Sequence, residues 1–256
     1  MLGSAPLSMA EGPIVSLAFP RFERNARGRD FAVGDVHGCF SHLERSLDSI
    51  GFDVSVDRLF SVGDLVDRGP ESHRVLEWLR KDWFHAICGN HDFMTWRSAL
   101  GNPYPDVDHL AHGGQWLGEL EPVLQVEIGE ALAALPLAME VETSGGLVGL
   151  VHADCPFDDW RDMQEMRSIS PTGSVGSSCL WSMERYRRNY AGQVKNVRAL
   201  VHGHVVVRAP RVLGNVHFIE TAGWKPGGYF TFLGLETMKT VFGPTADKPP
   251  LNLRNR

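Results

Sequence analysis

The chain has 256 residues, 43% hydrophobic and 22% charged, which describes an ordinary globular protein and most simply one domain. Its net charge of −6 gives no electrostatic reason to expect nucleic acid or an anionic membrane as partner, and no apolar run reaches the roughly 18 residues a membrane helix needs. The start, MLGSAPLSMAEGPIVS, carries Glu11 and no basic region before its apolar residues, so it does not read as a signal peptide and a cytoplasmic location is the default expectation.

Residues 1–28 mix Gly, Pro, Ser and Arg without periodicity and are expected to be a loose lead-in, with the folded domain spanning 29–242. RDFAVGD reads as a first strand. SHLERSLDSIGF follows as a helix, with Ser41 and Glu44 spaced as a capping box, Leu43, Leu47 and Ile50 on one face, and Gly51 closing it. RLFSVGD is a second buried strand, Pro70 opens a second helix with Val75, Leu76 and Leu79 on its apolar face, and FHAICGN is a third strand leading into a helix near His91. Strand, helix, strand, helix, strand with short links predicts neighbouring parallel strands joined by right-handed crossovers. Residues 105–135 turn helical and polar. Strand patterns then return in PLAMEVE, GLVGLVHAD, VRALVHGH, VLGNVHFIET and GYFTFLGLE, interrupted by a short helix in CLWSMERYRRNY. The short links predict a mainly antiparallel second sheet packed on the first, an α/β (α+β) fold, and the Pro-rich, charged tail 243–256 is expected to be solvated.

Cys39, Cys88, Cys155 and Cys179 form no C-x-x-C pair and are expected as free thiols. The chemistry lies at the strand ends. In open α/β sheets ligands gather beyond the carboxyl ends of the strands, and the first three strands end in Gly34-Asp35, Gly63-Asp64 and Gly89-Asn90. Asp35 and His37 stand two apart and would face the same way if extended geometry persists for three residues. Two later apolar runs end in His152 and His204. The resulting set, Asp35, His37, Asp64, Asn90, His152 and His204, is too large for one zinc ion and suits two metals sharing a carboxylate; the absence of cysteine points to manganese, iron or zinc.

GDVHG at 34–38, GDLVDRG at 63–69, GNHD at 89–92, HADCPFD at 152–158 and GH at 203–204 together resemble the phosphoprotein phosphatases within the calcineurin-like metallophosphoesterases, most closely the bacteriophage lambda type. The resemblance spans residues 30 to about 224 in the family's order. It implies a two-layer β-sandwich flanked by helices with a dinuclear site at its top. Asp35, His37 and Asp64 would hold one ion, and Asp64, Asn90, His152 and His204 the other, manganese being the first expectation. A hydroxide shared by the ions would attack phosphorus directly, without a phosphoenzyme. By the same matching, His91 would protonate the leaving oxygen, Asp67 would orient His91, and Arg68, Asn90 and Arg185 would bind phosphate.

One departure stands out: where the phage-type enzymes read roughly W-x-R-E-R, this chain has WSMER, so Met183 replaces the first arginine and Arg185 matches the second. His202 matches no family ligand. His112 with GGQW could shape the cleft or form a tight turn with Trp116 in the core, and Asp154 could support His152 or be a turn acid. The implied function is hydrolysis of phosphoserine or phosphothreonine in proteins, with phosphotyrosine left open. Nucleic acid and membrane are not expected as partners, and no regulatory subunit is evident from the sequence. The alternatives are a dinucleoside tetraphosphatase of the same superfamily, whose corresponding motif usually has alanine where this chain has Asp67, and a silent scaffold that keeps the fold for binding.

Overall fold

The computed structural model describes residues 19–105, 107–166 and 168–247. Strand β1 (Arg21–Phe22) precedes β2 (Asp30–Val33), α1 (Phe40–Ser49), β3 (Arg58–Ser61), α2 (Val75–Leu79), β4 (Phe84–Ala86) and α3 (Asn90–Ala99). Two 3₁₀ segments, Leu110–His112 and Gly114–Glu119, lead into α4 (Pro122–Ala133). There follow β5 (Ala138–Thr143), β6 (Gly146–Val151), α5 (Trp160–Gln164), α6 (Ser174–Trp181), α7 (Glu184–Arg187) and β7 (Ala199–His202). A hairpin of β8 (Arg211–Leu213) and β9 (Val216–Phe218) precedes β10 (Tyr229–Gly234) and β11 (Lys239–Thr245).

The expected βαβαβ unit is present: β2, β3 and β4 pair in parallel. Its side chains alternate between two apolar layers, as a period of two requires. Ala32 and Phe60 point towards the other sheet and pack with Val141, Val148, Leu150 and Val201. Phe31, Val33 and Leu59 point the other way, into a cluster that includes Leu43 and Leu47 of α1 and Val75 and Trp78 of α2. Full burial of each such side chain contributes about 1.5–3 kcal/mol.

The second half departs from expectation in three ways. GYFTFLGLE does not join the later strands; β10 pairs antiparallel with β2, and the first sheet runs β11-β10-β2-β3-β4. The other sheet, β1-β5-β6-β7-β9-β8, is mixed, with β6, β7 and β9 parallel to one another. The segments between β6 and β7 contain α5, α6 and α7, so that link is a crossover and permits parallel pairing. VLGNVHFIET is a hairpin, turned at Gly214 with φ +67°.

Local signals were also overridden. The lead-in of 1–28 is not loose throughout: Arg21 and Phe22 pair in parallel with Glu140 and Val141, and the Arg21 Nε–H donates to Glu142 at 2.8 Å. Residues 1–18 lie outside the described residues, as do 248–256 of the tail, but Gly243–Thr245 belong to β11. The Ser41–Glu44 capping box does not form. Helix α1 starts at Phe40, the Ser41 N–H and hydroxyl donate to Glu71 at 2.7 and 2.5 Å, and Glu44 pairs with Arg74 at 2.9 Å. After Pro70 the chain makes a 3₁₀ turn over Ser72–Arg74, and α2 is only five residues long.

Candidate metal centre and active site

The site collects at the carboxyl ends of β2, β3, β6 and β7, where the backbone takes unusual turns. Of the nine described non-glycine residues with positive φ, five lie here: His37 at 46°, Asp64 at 51°, Asp67 at 69°, Arg68 at 66° and His204 at 59°. Each such residue costs about 1–3 kcal/mol, which must be offset by its surroundings. The Asp64 carbonyl supplies part of that by accepting the Val36 and His37 N–H groups at 3.0 and 2.8 Å. Asp35 and His37 do converge, but through this left-handed turn rather than through the extended geometry expected from their spacing. Glycine is required at position 89, where a Cβ would lie 2.2 Å from Asp64 Oδ1.

The six expected ligands come together. Asp64, His152 and His204 offer ligand atoms within 4.8 Å of one another, and so do Asp64, His37 and His91. Both ring nitrogens of His91 are engaged, Nδ1 with Asp67 and Nε2 with Arg68, each at 2.8 Å. Asp35, whose Oδ2 is 3.9 Å from His37 Nε2, therefore completes the first group better than His91 does. The hydrogen bonds around the imidazoles aim lone pairs inward. His37 Nδ1–H donates to the Val66 carbonyl at 2.9 Å, leaving a buried Nε2 with no hydrogen-bond partner, 3.6 Å from Asp64 Oδ2. His152 Nδ1–H donates to the Val62 carbonyl at 2.8 Å, and its Nε2 sits 2.9 Å from Asn90 Oδ1, with His204 Nδ1 3.0 Å from the same oxygen. Burial pushes His37 down to about 3 and His204 to about 4, so both rings are neutral near pH 7. Neutral imidazole nitrogens, carboxylate oxygens and the Asn90 amide oxygen gathered in one buried place are a donor set for cations, and the residues present fit two divalent ions sharing Asp64.

Burial raises the Asp35 carboxyl well above its ordinary range, with Glu220 and Asp64 adding to the shift. Burial would raise Asp64 as well, but the imidazoles of His152, His91 and His37 hold it well below the usual range. The amino end of α3 also faces Asp64, whose Oδ1 accepts the His91 N–H at 2.8 Å.

Beside the ligands stands a second cluster built on Asp67, which is fully buried. Its carboxylate accepts from His91 Nδ1 at 2.8 Å, Trp116 Nε1 at 2.8 Å, His109 Nε2 at 3.1 Å and the Thr95 hydroxyl at 3.3 Å. Burial opposes its ionisation, yet the hydrogen bonds from His109 and His91 bring it down to about 2. Arg68 donates from Nη2 to His91 Nε2, so in this arrangement His91 carries its hydrogen on Nδ1. The Arg68 guanidinium also stacks 4.5 Å from the Trp224 ring centroid.

Arg185 is spent on the chain itself. It is buried, its Nη1 donates to the Gly192 and Tyr190 carbonyls at 2.7 and 3.3 Å, and its Nε lies 3.7 Å from Asp154. It lines a cavity of about 670 Å³ that none of the six expected ligands borders. The structure therefore does not bring it to the phosphate position expected from WSMER. Asp154 belongs to this arrangement, accepting the Arg185 N–H at 3.1 Å. His202 donates from Nδ1 to the Val151 carbonyl at 2.6 Å and joins neither ligand group. Trp116 is half-buried and spends its N–H on Asp67, while His112 is exposed. All four cysteines are free.

Sequence reasoning missed His109, Glu220 and Trp224. Glu220 Oε2 accepts the Asp35 N–H at 2.9 Å, and its Oε1 accepts from Ala222 N–H at 2.7 Å and Trp224 Nε1 at 2.9 Å. Burial lifts its carboxyl to about 7. The signal was present, since Glu220 closes the apolar run VHFIE just as Asp35 and Asp64 close theirs. His109 had none, since it belongs to no strand-end motif and to none of the segments that carry the resemblance.

Comparison with known proteins agrees with this geometry. Residues 31–208 match the model of the calcineurin-like phosphoesterase family. The chain is 32% identical over 223 residues to serine/threonine-protein phosphatase 1 of Salmonella typhimurium, covering 85% of this chain and 97% of that one. It is 27% identical over 206 residues to the asymmetrical bis(5'-nucleosyl)-tetraphosphatase of Bacillus velezensis, covering 74% of this chain and 82% of that one. Among solved structures, a serine/threonine phosphatase from Saccharomyces cerevisiae superposes with a TM-score of 0.62 at 15% identity, covering 91% of this chain and 85% of that one, a likeness of fold. Strand-end ligands, two sheets in the same arrangement and a family match over most of the chain converge: this chain is a metallophosphoesterase and belongs to the calcineurin-like phosphoesterase family.

Proposed function

We propose that the chain hydrolyses phosphoserine and phosphothreonine in proteins. The observation that carries this reading is the buried Asp67–His91 pair, 2.8 Å apart, beside the ligand set. A serine or threonine alkoxide is a poor leaving group and needs a proton as the P–O bond breaks; His91, once Nε2 has taken up a proton from solvent and Asp67 holds the resulting imidazolium, is placed to donate that proton. Arg68 presents a planar, permanently charged fork at the same place; phosphate oxygens compete with His91 Nε2 for it and, on drawing it away, free that nitrogen to take up the solvent proton that it then passes to the leaving oxygen. Trp224, stacked on Arg68 and 4.9 Å edge-on from His37, restricts how far the guanidinium can swing.

Asp35, His37 and Asp64 would hold one divalent ion, and Asp64, Asn90, His152 and His204 the other, manganese being the first choice. Cations there supply Lewis acidity and a water that ionises near neutral pH. Among the described residues no helix is long and apolar enough to cross a membrane. The similarity to nucleosyl-tetraphosphatases supports a second reading, a nucleotide substrate. Hydrolysis of a phosphoserine peptide and of diadenosine tetraphosphate by metal-loaded protein separates the two. The peptide is expected to be the better substrate by kcat/KM; a preference for the nucleotide overturns the proposal, and activity on neither makes the chain a scaffold.

A further inference from the structure

The Asp67 carboxylate serves more than His91. His109 Nε2 lies 3.1 Å from each of its oxygens, and Trp116 Nε1–H donates to Oδ1 at 2.8 Å, leaving Oδ2 to meet His91 at 2.8 Å. Both residues flank the turn Gly113-Gly114. Gly113 has φ +99°, and a Cβ there would lie 2.6 Å from the Arg68 backbone nitrogen; one on Gly114 would collide with the His109 ring at 2.4 Å. The 109–116 segment is thus pressed against Asp67 and Arg68 at once. Those two are consecutive left-handed residues, at 69° and 66°, a conformation that persists only where the surroundings over-determine it. No other described side chain donates to the Asp67 carboxylate except Thr95, at 3.3 Å, and His91 itself.

We propose that the 109–116 segment is the positioning element of the active site: His109 and Trp116 fix the Asp67 carboxylate so that it holds His91 in the orientation for proton donation. This rests on the reading of His91 as the proton donor. Neither His109 nor Trp116 hydrogen-bonds a metal-ligand side chain, so these two residues act on His91 through Asp67. A side-chain amide at position 109 keeps an N–H donor, whereas phenylalanine keeps the bulk of the ring and loses the donor; Trp116→Phe keeps an aromatic ring and loses the N–H together with part of the indole, a packing loss that the melting temperature reads separately.

The test is steady-state kinetics of metal-loaded wild type, His91→Asn, His109→Phe, His109→Gln and Trp116→Phe on a phosphoserine peptide and on p-nitrophenyl phosphate, with metal content and melting temperature measured for each. His91→Asn checks the underlying reading. His109→Phe and Trp116→Phe are expected to lower kcat on the peptide about tenfold at unchanged KM, part of the roughly 10²–10⁴-fold that general acid catalysis contributes. Their kcat on p-nitrophenyl phosphate, whose leaving group needs no proton, is expected to stay within about threefold of wild type, and His109→Gln to recover most of the loss. A leaving-group bias in His91→Asn with none in either His109→Phe or Trp116→Phe overturns the inference while leaving the reading of His91 intact. Equal losses on both substrates in His91→Asn overturn the reading of His91 and the inference with it. If His109→Phe fails to fold, Trp116→Phe decides.

Discussion

Two polar clusters stand side by side in this molecule and are built on opposite rules. Around Asp67 every lone pair that matters faces a hydrogen: four side chains donate to one carboxylate. Around Asp64 acceptors meet acceptors: His37 Nε2 faces carboxylate oxygens with no hydrogen-bond partner, and His152 Nε2, its ring hydrogen spent on the Val62 carbonyl, faces Asn90 Oδ1. A satisfied network holds a shape by itself, whereas a network of facing acceptors in a low-dielectric interior is stable only when something positive is added. The first suits the positioning of a group and the second could hold cations, a difference that lies in hydrogen-bond polarity.

The sharpest way to break the comparison is to withhold metal. Treatment with a chelator is expected to abolish phosphatase activity, Mn²⁺ to restore it, and Asp64→Asn to be the most damaging ligand change, because Asp64 belongs to both groups. Metal should also raise the melting temperature, by the equivalent of about 2.7 kcal/mol at a hundred times the Kd. Undiminished activity in rigorously metal-free protein removes the contrast altogether.

Next in size is His91→Asn, expected to cost roughly 10²–10⁴-fold on an alkyl phosphate and much less on an aryl phosphate, with Asp67→Asn showing the same bias more weakly. A third substitution tests whether Arg185 is spent on structure. Removing its guanidinium leaves Asp154 buried and unpaired, so Arg185→Ala is expected to lower stability by about 3–5 kcal/mol in denaturant titration, with little change in KM for the folded fraction. A stable variant with a raised KM restores the phosphate role expected from WSMER.

The smallest effect is on stability against acid. Asp67 sits at about 2 in the folded chain, below its unfolded value of about 3.9. The folded state therefore favours the ionised form, a contribution on the order of 2 kcal/mol that is fully present above about pH 4 and is lost as pH falls towards 2. The melting temperature of metal-free wild type should accordingly fall towards that of Asp67→Asn across that window. A gap between the two that is constant from pH 6 to pH 2 means the donors to Asp67 do not stabilise its charge.

Legible in the residues alone were the parallel β2-β3-β4 unit, the exits of β2 and β3 at Asp35 and Asp64, Asn90 at the start of the helix after β4, and the gathering of His152 and His204 with them, because buried strands and sharp Gly-Asp exits leave a short-range mark. The sequence also carried the Asp67–His91 pairing, through resemblance. It did not determine which sheet GYFTFLGLE would join, since an apolar strand fits either edge and only packing of the whole core chooses β2 as its neighbour. Nor could it show that Ser41 would bond Glu71 instead of Glu44, that Arg185 would turn to the Gly192 carbonyl, or that His109 would reach Asp67 across 42 residues. Those outcomes belong to the tertiary structure for one physical reason: a polar side chain takes whichever partner the folded chain brings within hydrogen-bond reach as water leaves, and sequence spacing constrains that choice only within a turn or a strand.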